Sequence, residues 1–377
     1  MITESNPNVV EEDGVEAEET SGSDPIKEPF DPTDIRVETK PITIDLLINR
    51  IRHNEIDLAP DFQRKGGLWS DKAQSRLIES LLIRIPLPAF YMDATNENKW
   101  LVVDGLQRLT SLKRFVVDQT LKLVGMEFLK DQDNRDFKQL PRHLQRRILE
   151  TQVTAYLIEK GTPPEVKFNI FKRINTGGLP LSAQEIRHAL NQGKSTRLLQ
   201  ELAESEEFLT ATSNSVRDSR MADREFVLRF LAFAITPYTE YSSRDFDAFL
   251  NKKMQDINGM DSANLEKLRR RFLRAMRLCN GLLGRTAFRK QGENGRFMPI
   301  NKALFETWSV NLERLSDDQI KGLQGRKDIL ERKIAALLGD VEFLNSISQG
   351  TGDVGKVNLR FSRVQKLIES VLQCSSN

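Results

Sequence analysis

Cysteine and histidine are scarce in this 377-residue sequence, with two of the first and three of the second. Cys279 and Cys374 cannot build a disulfide framework or a four-ligand zinc site, and a reducing cytoplasm is the expected compartment. His53, His143 and His188 stand far apart, which argues against a hydrolase built on a histidine cluster. No run reaches the ~18 apolar residues of a membrane helix. The best candidate, 226–235, is short and contains Arg229. No base precedes Lys27 and no apolar centre follows, so a secretory signal is not expected.

What is present is charge, unevenly placed. The formal net charge is +2, yet residues 1–40 hold 12 acids and 3 bases, and the remainder carries a surplus of +11. Residues 1–38 are rich in Glu, Asp, Ser, Pro and Gly, with Phe30 as their one aromatic. They cannot bury enough apolar area to offset ordering entropy and read as a disordered acidic tail. The basic remainder points toward polyanions.

A first domain is placed at 39–200, and from about 41 to 160 its pattern mixes helix and strand. Thr43 is placed to cap a helix to about His53, with Ile44, Leu47, Ile48 and Ile51 on one face. Ser70 is placed to cap another, with Ala73, Leu77, Leu81 and Leu82 inward and Pro86 beyond its end. Strands are predicted at 89–93, 100–104 and 152–158, and a helix at 106–117. Beyond 163 the pattern is almost entirely helical, and 201–377 reads as an all-helical domain. The fold class is therefore α+β followed by helices.

The stretch Val102-Val103-Asp104-Gly105-Leu106-Gln107-Arg108-Leu109-Thr110 carries the most chemistry. A strand ends on a carboxylate, a glycine permits a tight turn, and a helix begins with Gln and Arg in its first turn. Helix N-termini offer unpaired N–H donors to phosphate. Arg108 can add a bidentate contact. Asp104 can hold Mg²⁺ or orient a water, and Gln107 can donate to a phosphoryl oxygen. On these residues alone a second reading stands beside the first, with Asp104 as a cap and Arg108 as a surface residue. Two other segments offer flexible polar groups. They are Asp61-Phe62-Gln63-Arg64 with Gly66-Gly67 and Trp69, and Phe171-Lys172-Arg173-Ile174-Asn175-Thr176-Gly177-Gly178.

Five ordered blocks, "DFQRKGGLW", "LIESLLIRIPLPAFY", "VVDGLQRLTSL", "FKRINTGGLPLSAQEIRHAL" and "MADREFVLRFLAF", resemble the N-terminal domain of GmrSD-type restriction endonucleases (domain of unknown function 262), related to the ParB/sulfiredoxin fold. They span roughly residues 43–235. The resemblance implies a ParB/sulfiredoxin-like module that binds and hydrolyses a nucleoside triphosphate with Mg²⁺, in a system directed against foreign DNA. The family signature usually reads Asp-Gly-Gln-Gln-Arg. Here Leu106 takes the third place, while Asp104, Gly105, Gln107 and Arg108 keep the others. By the same resemblance Gln63, Arg64, Gly105, Arg173, Asn175, Thr176 and Gly177 are candidate nucleotide-binding residues, with Asp104, Gln107 and Arg108 catalytic and Asp104 the metal ligand.

Family members often carry a C-terminal HNH nuclease, whose chemistry needs a His base. No histidine follows His188, which excludes that nuclease in its ordinary form. Glu165-Val166-Lys167 matches the E-x-K tripeptide of another nuclease class, but it follows two prolines and opens a helical pattern. Gly193-Lys194-Ser195 resembles the end of a phosphate-binding loop without a preceding strand or leading glycine. Residues 267–290 contain nine bases and no acid. They read either as a solvated helix face paired with acids elsewhere or as a strip for DNA phosphates. The functional expectation is a nucleotide-binding and hydrolysing module acting with DNA or a separately encoded nuclease. The alternatives are a non-catalytic nucleotide sensor or DNA-docking subunit, and a pure scaffold.

Overall fold

In a computed structural model of the chain, which describes residues 15–16, 35–58, 69–174, 181–216, 219–243, 245–291 and 296–374, the predicted caps start the helices they were assigned to. Thr43 closes strand β1 (Val37–Thr43), and its hydroxyl accepts the Leu46 N–H at 3.3 Å to begin α1 (Ile44–Arg52). The apolar spacing then buries Ile44, Leu47, Ile48 and Ile51. Ser70 does the same for α2 (Asp71–Leu82) through the Ala73 N–H. That helix ends before Pro86, with Arg84 at positive φ.

Between these helices lies the short β2 (Ile56–Asp57). After α2 come β3 (Phe90–Asp93), β4 (Trp100–Asp104), α3 (Leu106–Leu112) with a π turn over 113–117, α4 (Arg142–Glu150), β5 (Gln152–Ile158), α5 (Pro164–Ile174) and α6 (Ala183–Leu190). The five strands form one mixed sheet in the order β1-β5-β3-β4-β2. β1 runs antiparallel to β5 and β4 antiparallel to β3, whereas β3–β5 and β2–β4 are parallel. Strand side chains alternate between faces. Phe90, Met92, Val102, Val153, Ala155 and Leu157 join the core made with α1 to α4. Val103 and Ile158 join a smaller core with Phe168 and Phe171 of α5 and Ile186 of α6.

The chain divides into two compact units, 30–190 and 191–377, with residues 1–29 assigned to the second. The second unit contains α7 (Lys194–Ala203), α8 (Glu206–Ala211), α9 (Ala222–Ile235), α10 (Phe246–Gly259), α11 (Ser262–Leu283), β6 (Arg289–Gln291), β7 (Phe297–Ile300), α12 (Lys302–Glu313), α13 (Asp317–Gln324), α14 (Lys327–Leu338), α15 (Val341–Ser348) and α16 (Val354–Gln373). The β6–β7 hairpin departs from the all-helical expectation. It lies where the periodicity shows only a break, because three- and four-residue strands carry too few side chains to establish a period. Most of the expected acidic tail falls outside the described residues, but Val15 and Glu16 are described and belong to the helical unit. No described helix is long and apolar enough to cross a membrane.

A charged network sits inside the helical unit. Arg360 on α16 is fully buried and donates to Glu306 on α12 and to the carbonyls of Thr351 (2.7 Å) and Ser346 (3.3 Å). Arg229 on α9 joins it, pairing with Glu225 at 2.9 Å and lying 3.6 Å from Glu306. Removing one member of such a network leaves a charge in a dry place, which costs about 3–5 kcal/mol. Arg360→Ala should therefore lower the unfolding free energy of this unit by that amount. A loss under about 1 kcal/mol in denaturant unfolding would show that the site hydrates freely.

Glu79 on α2 anchors the turn after the π helix by accepting the N–H groups of Glu127, Phe128 and Leu129 at 2.8–3.0 Å. Burial opposes the charged form, but these backbone donors outweigh it and hold the carboxyl below its usual range. A depressed folded-state value contributes stability above the unfolded pKa of about 4.3, and that stability is lost as pH falls through the folded value. Amide protection at Phe128 and Leu129 should be lost as pH falls through the depressed folded-state value, below the unfolded value of about 4.3, and be low at every pH in Glu79→Ala. Protection independent of both would remove the anchor.

Candidate nucleotide site

β4 delivers Asp104 to the edge of the sheet, and Gly105 turns the chain into α3 at a φ of +103°. This is left-handed backbone that a residue with a Cβ adopts only with strain. Space reinforces the requirement, because a methyl group on Gly105 would overlap the ring of Phe90. No side chain caps α3, so its first N–H groups lack that partner.

Arg108 lies one helical turn on and points inward. Its Nη2 donates to Asp104 Oδ2 at 2.8 Å and to the Ala89 carbonyl at 3.2 Å, and its Nη1 donates to the Pro88 carbonyl. The guanidinium carbon stands 4.5 Å from the centre of the Phe90 ring. Only 8% of Arg108 is exposed. Burial pulls its pKa down, the charge and hydrogen bond of Asp104 pull the other way, and an arginine stays protonated throughout. Asp104 itself is one-third exposed, with Oδ2 fixed by the arginine.

Gln107 faces the neighbouring loop. Its Oε1 accepts the Trp69 N–H at 3.1 Å, while Gln74 on α2 donates to the Trp69 carbonyl at 2.6 Å. The Trp69 peptide is thus pinned between the first turns of α2 and α3. This fixes the end of the segment carrying Gln63 and Arg64, which themselves lie outside the described residues, as do Asn175, Thr176, Gly177 and Gly178. Arg173 is described and exposed near the end of α5. Leu106 is turned into the core, so the position that departs from the family signature presents an apolar side chain to the interior.

Residues 44–191 match the family model described as the GmrSD restriction endonuclease, N-terminal domain. The match runs from the first residue of α1 past the end of α6 and includes the whole junction. No curated protein and no solved structure gives a significant match to the chain.

The GmrSD-type domain holds polar groups that the motif reading missed. Tyr91 pairs with Asp104 across a β-bulge, and its ring stacks on Tyr156 at 4.7 Å between centres. Burial raises the Tyr91 pKa, and the charges of Tyr156 and Asp104 raise it further, so a neutral phenol stands by the carboxylate. "LPAFY" contains Tyr91, but only the sheet register reveals its neighbour. Lys167 of the E-x-K tripeptide lies on α5 and pairs with Asp93 at 2.9 Å, both side chains nearly buried. Among the described residues no cluster of three His, Cys, Asp or Glu is placed to hold a metal.

The other polar and basic stretches form contacts within the helical unit. Gly193 precedes α7, Lys194 donates to the Met260 carbonyl at 2.6 Å, and the Ser195 N–H goes to Asn258 at 2.7 Å. The loop at 349–353 is held by Asp353 capping α16 and by the bonds of Lys356 and Arg360 to its carbonyls. In the basic strip, Arg269 pairs with Glu201 and Glu266, Arg271 takes Glu313 bidentately, Arg274 reaches Asp317, and Arg277 reaches Glu207. With Arg270 at 3.9 Å from Glu266 and Lys290 at 2.6 Å from Glu16, six of the nine bases are matched by acids of the same unit among the described residues.

Gly105→Ala should destabilise the GmrSD-type domain by roughly 2–4 kcal/mol, combining left-handed strain with overlap against Phe90. A urea midpoint equal to that of the unaltered protein would show that the turn relaxes without cost.

Proposed function

We propose that the GmrSD-type domain binds a nucleoside triphosphate with Mg²⁺ and hydrolyses it as a switch in a DNA-directed, restriction-like system. The observation that carries this reading is the convergence of Asp104, Gln107 and Trp69 on one strand–helix junction, inside the segment that matches the family. In this reading Asp104 is the acid at the junction, its Oδ2 held by Arg108 and its other oxygen available for a metal or water. Mg²⁺ commonly takes one or two protein carboxylates, with the rest of its shell from phosphates and water, which fits a site with a single acid. A bound Mg²⁺ would neutralise phosphate charge.

The protein groups then divide the work. Gln107 and Arg64 address the phosphate oxygens, and Gln63, Arg173, Asn175, Thr176 and Gly177 supply further contacts. Arg108 positions Asp104 from beneath. The basic helical region 267–290 and a separately encoded nuclease are the proposed routes to DNA.

One observation favours binding without turnover. Leu106 occupies the place of a signature glutamine and is packed inside, so that contact is absent. Equilibrium binding and phosphate release, measured with Mg²⁺ across the common nucleoside triphosphates and with or without DNA, separate the readings. Binding with turnover that falls roughly a hundredfold or more in Asp104→Ala supports the switch. Binding without turnover selects the sensor, and turnover unchanged in Asp104→Ala removes the assigned site.

A further inference from the structure

The β6–β7 hairpin is a two-stranded sheet, so β7 has an outer edge with unpaired backbone groups. That edge is occupied. Val15 bridges Ile300 in parallel register, and the Glu16 N–H donates to the Ile300 carbonyl at 2.9 Å. The Val15 side chain is completely buried in the core of the helical unit. Glu16 reaches two partners at once, with Oε1 2.6 Å from Lys290 Nζ and Oε2 3.1 Å from Asn301 Nδ2.

Those partners are built for a carboxylate. Asn301 is buried, its Oδ1 caps α12 through the Leu304 N–H at 2.8 Å, and its Nδ2 also donates to the Ile347 carbonyl at 2.8 Å. Its ring of bonds leaves one amide hydrogen directed at Glu16. The Lys290 side chain is mostly buried, and it also donates to the Ser348 hydroxyl at 2.6 Å. Without Glu16 the site would hold a poorly hydrated ammonium and a buried amide N–H lacking its acceptor, both unfavourable. Backbone pairing, an apolar pocket for one residue and a carboxylate clamp for the next are components of strand addition to a sheet edge.

We propose that the outer edge of β7, with Lys290 and Asn301, is a recognition site for a short acidic strand, and that the segment around Val15–Glu16 is its resident, displaceable ligand. The recognised pattern is an apolar residue followed by an acid. Among the described residues the hold is one residue pair of backbone contact plus one charge cluster, which is set against the entropy of the released segment. An acidic strand of the same pattern from a partner protein exchanges with it.

The test uses the full chain and a labelled peptide of residues 9–22. Val15→Asp combined with Glu16→Lys should open the site and bind the peptide at least about tenfold more tightly than the unaltered chain, whose site is filled. Adding Lys290→Glu to the opened chain should weaken peptide binding roughly tenfold or more. In the unaltered chain the Glu16 amide should be protected from hydrogen exchange, and excess peptide should abolish that protection. A Glu16 amide exchanging at the rate of unstructured chain, or peptide affinity equal in the opened and unaltered chains, would overturn the proposal.

Discussion

An arginine that cannot shed its charge stands almost out of water at the start of α3, and the geometry of the junction follows from satisfying it. Arg108 takes the Pro88 and Ala89 carbonyls, one oxygen of Asp104 and the face of Phe90. These bonds fix the turn before β3, the direction of the carboxylate after β4, and the first turn of the helix together. Gly105 completes the constraint, since Phe90 lies where any Cβ would go. An exposed arginine in the same place would leave Asp104 to rotate in solvent. A buried one turns it into a fixed feature with one face outward.

The helical unit handles its surplus charge differently. The eye is drawn in the sequence to nine bases without an acid between them, but folding returns acids from α7, α8, α12 and the start of α13 to meet Arg269, Arg271, Arg274 and Arg277. Arg271 and Arg274 also satisfy backbone carbonyls at 234, 313 and 315, so part of their work is structural. Lys290 finds its acid farthest away in sequence, in the N-terminal segment. Charge asymmetry along the chain becomes, in part, charge pairing within one unit. The buried Arg360–Glu306–Arg229 cluster is the extreme case, where ions tie three helices to the loop before α16.

Local signals in the sequence were read well where the physics is local. Thr43 and Ser70 cap because a hydroxyl three residues before an amide reaches it whatever the rest of the chain does. Ile44, Leu47, Ile48 and Ile51 share a face because the helix repeat places them there. Gly105 was legible as a turn, and four of the five blocks lie in the segment that the GmrSD family model covers, while the fifth, at 221–233, lies beyond its end at 191. The inward position of Arg108 was not legible, since its carbonyl partners lie about a turn of chain and a strand away. Tyr91 became visible only through its register with Asp104.

The sequence by itself thus determined the element types, the caps, the strand–Asp-Gly–helix junction and the family resemblance, all of which depend on neighbours within a few positions. Tertiary structure alone decided that β1 pairs with β5, more than a hundred residues on, and that Val15 of the N-terminal segment bridges Ile300 of β7. It also decided which charges of the basic stretch meet acids and which tyrosine stands by the carboxylate. Those outcomes depend on desolvation and pairing between distant parts of the chain. Burial makes an unpaired charge or backbone group costly, so the fold settles each partner, and residue spacing along the sequence carries no record of that cost.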